Sequence, residues 1–179
     1  MRIAAAVIAA TLLAAPLAYA QAPAPAPAAP AAVPEVMPFD IPYGASITLE
    51  QAQKAIAAAA AEAKKHNWKM SISVVGPAGN LIAHETMDGT QYASVDISQA
   101  KARTSALYRR PSGVLQDAIN TNGSPATLSL VVLTHGAASA GAFPIVLDGK
   151  LAGAVGCSGG IFTQDVVTCK AGLEALGGK

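Results

Sequence analysis

Side chains able to do chemistry are few in this chain, and their spacing excludes most common reaction centres. Three histidines (His66, His84, His135) and two cysteines (Cys157, Cys169) are scattered over the length. No His-x-x-x-His or Cys-x-x-Cys spacing occurs, so there is no sequence case for zinc. Gly156-Cys157-Ser158-Gly159-Gly160 has the wrong order for a Gly-x-Ser-x-Gly nucleophile elbow. Its glycines suit tight packing or backbone contact at a strand end. Glycine loops that cradle nucleotides are absent as well. His66, beside Asn67 where a helix should end, suits the negative end of the helix dipole. His84 falls mid-strand, where it either lines a pocket or faces water. His135 precedes the run Gly136 to Gly141, and a loop carried on a rigid sheet is a better place for ligand contact.

A helix expected from Ala93 to Tyr108, with Ser94 as its cap, is richer. Ile97, Lys101, Thr104 and Tyr108 fall on one stripe, and Asp96, Gln99 and Arg103 on another. Such a helix, beside a glycine-rich loop, could grip an anionic ligand through charge-assisted hydrogen bonds. The plainer alternative is a solvated or subunit-facing polar stripe. Cys157 shares a strand face with Leu151, Gly153 and Val155, and Cys169 shares a helix stripe with Val166, Leu173 and Leu176. Both thiols therefore point toward one core layer. Two readings stay open: a disulfide worth ~3 kcal/mol for a loop of this size, or two buried free thiols packing as small hydrophobes.

The elements that must position these groups are legible from periodicity. Thr48 and Gln51 form a capping box, after which apolar residues recur at helical spacing to Asn67. Strands are expected over Met70 to Val75 and Leu81 to Met87, joined by the turn residues Pro77 to Asn80. Pro111 ends the next helix, and a short one runs from Ser112 to Ile119. Leu128 to Leu133, apolar on both faces, is expected to be a central strand. Pro144 to Leu147 and Lys150 to Cys157 flank Asp148-Gly149, the strongest short hairpin signal in the chain. A last helix covers Gln164 to Leu176. The order α-β-β-α-α-β-β-β-α, with two hairpins, predicts an antiparallel α+β sheet covered by helices.

Before this domain, expected over residues 47–179, come two other segments. Arg2, the apolar run Ile3 to Ala15, and Ala18-Tyr19-Ala20 make up a secretory signal peptide over residues 1–20. Residues 21–46 read as an Ala/Pro-rich tether, extended because each proline removes a donor and disfavours helix in its predecessor. Composition narrows the function further. Twelve Lys and Arg face eleven Asp and Glu, and no basic cluster exceeds two residues, which argues against nucleic acid. The apolar run at the N-terminus is too short to span a bilayer at ~20 residues, so no membrane span remains after processing.

Taken together, Val75 to Gly89, Ala93 to Pro111 and Phe143 to Leu173 resemble the haem-degrading, GlcG-like family. The combination of Met87-Asp88-Gly89, Lys101-Ala102 and Gly156 to Gly160 followed by Gln164-Asp165 carries the resemblance. It implies a profilin-like α+β fold, dimers or higher oligomers, and haem as the cofactor of some members. Cys157 and Cys169 stand where the family more often has small apolar residues, which supports a bridge particular to a subgroup. No iron ligand is carried over from the family.

Three functions follow as expectations. The first is a periplasmic or secreted haem-binding protein, with Lys101, Arg103 and Arg109 serving the propionates. His84, His135, Thr104 or Tyr108 would then approach iron. Degrading the haem would need a reductant or peroxide, and no flavin or iron–sulfur motif is present to deliver electrons, so binding is favoured over catalysis. The second is a sensor or accessory module for an organic acid or a corrinoid, using the same stripe. The third is an oligomeric structural protein. The leader sets one direct expectation: the exported protein starts at Gln21, and an intact mass retaining residues 1–20 would refute it.

Overall fold

A computed structural model describes residues 33–178. The expected signal peptide and the Ala-Pro repeats lie outside them. The elements are α1 (Leu49–Lys65), β1 (Ser71–Val75), β2 (Leu81–Thr86), α2 (Ala93–Tyr108), α3 (Ser112–Asn122), α4 (Pro125–Leu133), β3 (Ala142–Leu147), β4 (Lys150–Ser158) and α5 (Phe162–Glu174). The α+β class holds: four antiparallel strands lie in the order β2-β1-β4-β3. Both expected hairpins form. The second closes through Asp148 and Gly149, both with positive φ, as a turn matched to strand twist requires.

Side-chain alternation splits the sheet into two unlike faces. Ile72, Val74, Val155 and Cys157 point toward α1 and α5, joining Ala52, Ala55, Ile56, Ala59, Ala63, Cys169 and Leu173 in the main core. On the other face Val75 and Ala154 meet Ala102 and Ala106 of α2. The alanines let α1 approach closely, as the Thr48–Gln51 capping box starts it. α2 comes closer still to its strand. A Cβ on Gly156 would stand 2.4 Å from the Ser98 carbonyl oxygen and 2.6 Å from the Ala102 nitrogen, so only glycine fits there.

Two expectations need correction. Residues Leu128 to Leu133 are helical, not a central strand, so the order is α-β-β-α-α-α-β-β-α. Ser124 caps this α4, its Oγ accepting from the Thr127 N–H at 3.3 Å, and Pro125 occupies the first turn. A short apolar run carries no period of its own, so the cap and the proline decide. Ser94 does not cap α2: it lies within the helix, buried, 3.2 Å from Ser158. Residues just before Ile47 also pack on the domain. The Tyr43 hydroxyl donates to the Leu107 carbonyl at 3.1 Å, Leu151 N–H donates to the Pro42 carbonyl at 2.8 Å, and the Arg110 guanidinium stacks 4.0 Å from the Phe39 ring. The aromatic residues that the Ala-Pro repeats lack are what fasten this stretch.

The cysteines are bridged, with 5.6 Å between their Cα atoms, tying β4 to α5. Beside the bridge lies the largest fully buried side chain, Lys101, 2 % exposed. Its ammonium donates to the Asp165 carboxylate at 2.7 Å and to the Cys157 carbonyl at 3.3 Å. Burial pushes the Asp165 carboxyl up, against the opposing pull of Lys101 and of the Gly160 N–H. Removing one member strands the other charge, so Asp165→Asn should cost about 3–5 kcal/mol in urea unfolding. Replacing both, as Lys101→Met with Asp165→Leu, should recover most of that loss. A single-variant cost below about 1 kcal/mol would show that Lys101 reaches water.

Candidate functional site

The two stripes of α2 do different jobs. The Lys101 stripe turns inward. Besides the buried ion pair, Thr104 is fully buried, its hydroxyl donating to the Ala100 carbonyl at 2.9 Å and accepting from the Ala137 N–H at 2.7 Å. Tyr108 lies 3.3 Å from the Thr134 hydroxyl. Arg109, in left-handed conformation as the C-cap of α2, donates to Asp40 and to the Ile41 carbonyl. Lys101, Thr104 and Arg109 are therefore engaged by contacts within the fold. Helical periodicity finds the stripe but not which stripe the sheet covers.

The Asp96–Gln99–Arg103 stripe faces a cleft of about 360 Å³. The turn between β1 and β2 forms one wall, with Gly79, Asn80 and Leu81; Val75 and Ala100 line it too, and His135 closes it from the α4–β3 loop. Arg103 holds these walls together. Its Nε donates to the Thr134 carbonyl at 2.9 Å and Nη1 to the Gly79 carbonyl at 3.1 Å. Gly79 has φ +77°, and a Cβ there would stand 2.9 Å from the Arg103 side chain. The turn thus needs glycine both for its conformation and to admit the arginine. His135 is exposed, with φ +52°. Of the expected site residues, Arg103 and His135 meet in this cleft. Asn80 and Leu81 join them unforeseen, because sequence showed the first only as a turn residue and the second only as the start of a strand.

His84 stands apart, on the partly open end of the α2 face along edge strand β2. Its Nδ1 lies 2.8 Å from Ser73 Oγ and its Nε2 2.7 Å from Thr86 Oγ1. Ser73 Oγ in turn lies 2.7 Å from Ser98 Oγ, and Thr86 Oγ1 2.9 Å from Ser71 Oγ. Burial pushes the His84 imidazole below its ordinary value, against the opposing pull of Glu85, which favours the neutral ring. His66 is a structural residue: it caps α1, pairs with Glu62 and stacks on Trp68.

Known proteins share both sequence and fold with this one. The family described as haem degrading protein HbpS-like matches residues 47–174. Protein GlcG of Escherichia coli strain K12 is 39 % identical over 112 residues, covering 63 % of this chain and 81 % of that protein. A double mutant of HbpS from Streptomyces reticuli superposes with a TM-score of 0.68 at 26 % identity, covering 82 % of this chain and 99 % of that one. A structure of a PduOC:haem complex shares the fold, with a TM-score of 0.67 at 20 % identity over 73 % of this chain and 94 % of that one. On its sequence and its fold, the chain belongs to the HbpS-like family of haem-degrading proteins.

Proposed function

We propose that this is an exported haem-binding protein that holds one edge of the macrocycle in the Arg103–His135 cleft. The observation carrying this reading is the meeting, in one cleft, of a guanidinium, an exposed imidazole and the apolar side chains of Val75, Leu81 and Ala100. That donor set fits the group: Arg103 Nη2, which makes no hydrogen bond among the described residues, would hold a propionate, and His135 would supply a nitrogen to iron. Haem would supply redox or ligand-binding chemistry; the protein's part is to bind it, orient it and limit water. The family and the haem-bound relative support the same ligand. Breaking the macrocycle would need a reductant or peroxide from outside, so binding is the core of the proposal.

Export belongs to the same reading. A disulfide joining Cys157 and Cys169 suits an oxidising compartment, periplasmic or extracellular. Among the described residues no helix is long and apolar enough to cross a membrane. Self-association, at least to a dimer, completes the proposal. Leu128, Leu130, Val132 and Leu133 of α4 are all exposed and offer an apolar surface for it. The rival ligand is a small organic acid on Arg103, favoured by the neutral polar side chains of the lining, Asn80 and Gln99.

Titrating the purified protein with haemin and recording its absorbance decides between them. Arg103→Ala should weaken haemin binding about ten- to a hundred-fold, the loss of one charge-assisted hydrogen bond, with little change in the Soret band. His135→Ala should shift that band, because the axial ligand sets the electronics of iron. Haemin binding no tighter than to a control protein would end the haem reading in favour of the organic acid.

A further inference from the structure

The Arg103–His135 cleft contains a charge that neither a propionate nor a plain carboxylic acid uses. Asp96 lies in the first turn of α2, on the stripe that faces the cleft, and lines it. Its carboxylate makes no ion pair and no hydrogen bond among the described residues. Gln99, on the same stripe, donates from Nε2 to the Val95 carbonyl at 3.2 Å. A carbonyl can only accept, so the atom Gln99 has left to offer is its Oε1. One end of the cleft therefore presents acceptors, one charged and one neutral. The other end presents a cationic donor, because Arg103 is fixed through Nε and Nη1 and keeps Nη2. Asp96 and Arg103 stand two turns apart on α2, ~10 Å along its axis. Val75, Leu81 and Ala100 supply the apolar part of the lining.

We infer that this cleft takes a small zwitterion, with its ammonium at Asp96 and Gln99, its carboxylate at Arg103 and a short aliphatic chain between them. The inference rests on the cleft being a ligand site, and it narrows the organic-acid reading to an acid that carries an amine. A carboxylate brought alone to Arg103 meets Asp96 as a like charge. An ammionium on the same molecule turns that repulsion into attraction, so Asp96 selects against plain acids. Both contacts are charge-assisted hydrogen bonds, the strong kind. At about 360 Å³ the cleft lies near the lower end of ligand pockets, which suits a molecule of this size.

Caproate, hexylamine and ε-aminocaproate form a matched set, carrying one charge, the other, or both. They are titrated at neutral pH into the full chain, and binding is read from the amide NMR shifts of Gly79, Leu81 and His135. ε-Aminocaproate should bind about ten-fold more tightly than either single-charge probe, the gain of one charge-assisted hydrogen bond. Asp96→Asn, with native circular dichroism, should abolish that preference by two opposite changes. It should weaken ε-aminocaproate about ten-fold and tighten caproate, which no longer meets a like charge. Equal affinity of the native protein for caproate and ε-aminocaproate would overturn the inference while leaving the cleft a carboxylate site. So would an Asp96→Asn variant that loses both probes alike. Absence of all three probes from the cleft would overturn it as well, and haemin titration of the same sample then shows whether the cleft reading falls with it.

Discussion

The contact on which most of this structure depends is the meeting of two backbones, α2 against β4 at Gly156. With no side chain between them, the helix lies on the strand at a separation that even a methyl group would prevent. That closeness decides what α2 can place beneath itself. Only small residues fit along the seam, and they are Ser94, Ser98, Ala102 and Ala106. Two of the four bring hydroxyls, which is why this layer of the sheet carries a hydrogen-bonded network where the opposite layer carries hydrocarbon.

The same approach drives Lys101 into the interior. A lysine at this position cannot reach water past β4, so the fold must provide acceptors, and it draws both from the neighbourhood of the disulfide. One is the carbonyl of Cys157; the other is Asp165, one turn before Cys169 on α5. The bridge therefore ties together the two segments that neutralise the buried charge. A buried ion pair is weak evidence for net stability. Its physical consequence here is specificity, since α5 in any other register would leave an ammonium unpaired in the core.

Arg103 is the counterpart of Lys101 on the next stripe of the helix. Two residues along, the side chain turns away from β4 and fastens two loops by their carbonyls, so the cleft wall and its cation are one construction. Preorganisation of this kind reduces the ordering cost of binding. It also means that the guanidinium proposed to meet the ligand is already fixed by the fold.

Much of the fold was legible in the sequence, and the reasons are local. The Thr48–Gln51 box, the Asp148-Gly149 turn and Pro111 are short-range devices whose effect does not wait for tertiary contacts. The family resemblance carried the architecture further than periodicity alone. The run Leu128 to Leu133 was misread because an unbroken apolar stretch fits strand and helix alike, and here Ser124 and Pro125 decide. The site was less legible. The sequence by itself determined that α2 presents two polar stripes, that His84 and His135 are the histidines with a prospect of meeting a ligand, and that two cysteines share a layer. Only the tertiary structure decided which partners Lys101, Thr104 and Arg109 meet within the fold, that Arg103 and His135 share a cleft, and that the cysteines are joined. The physical reason is that a helix has the same periodicity whichever side the sheet covers. Which stripe becomes core and which becomes site depends on a glycine some fifty residues away in the chain.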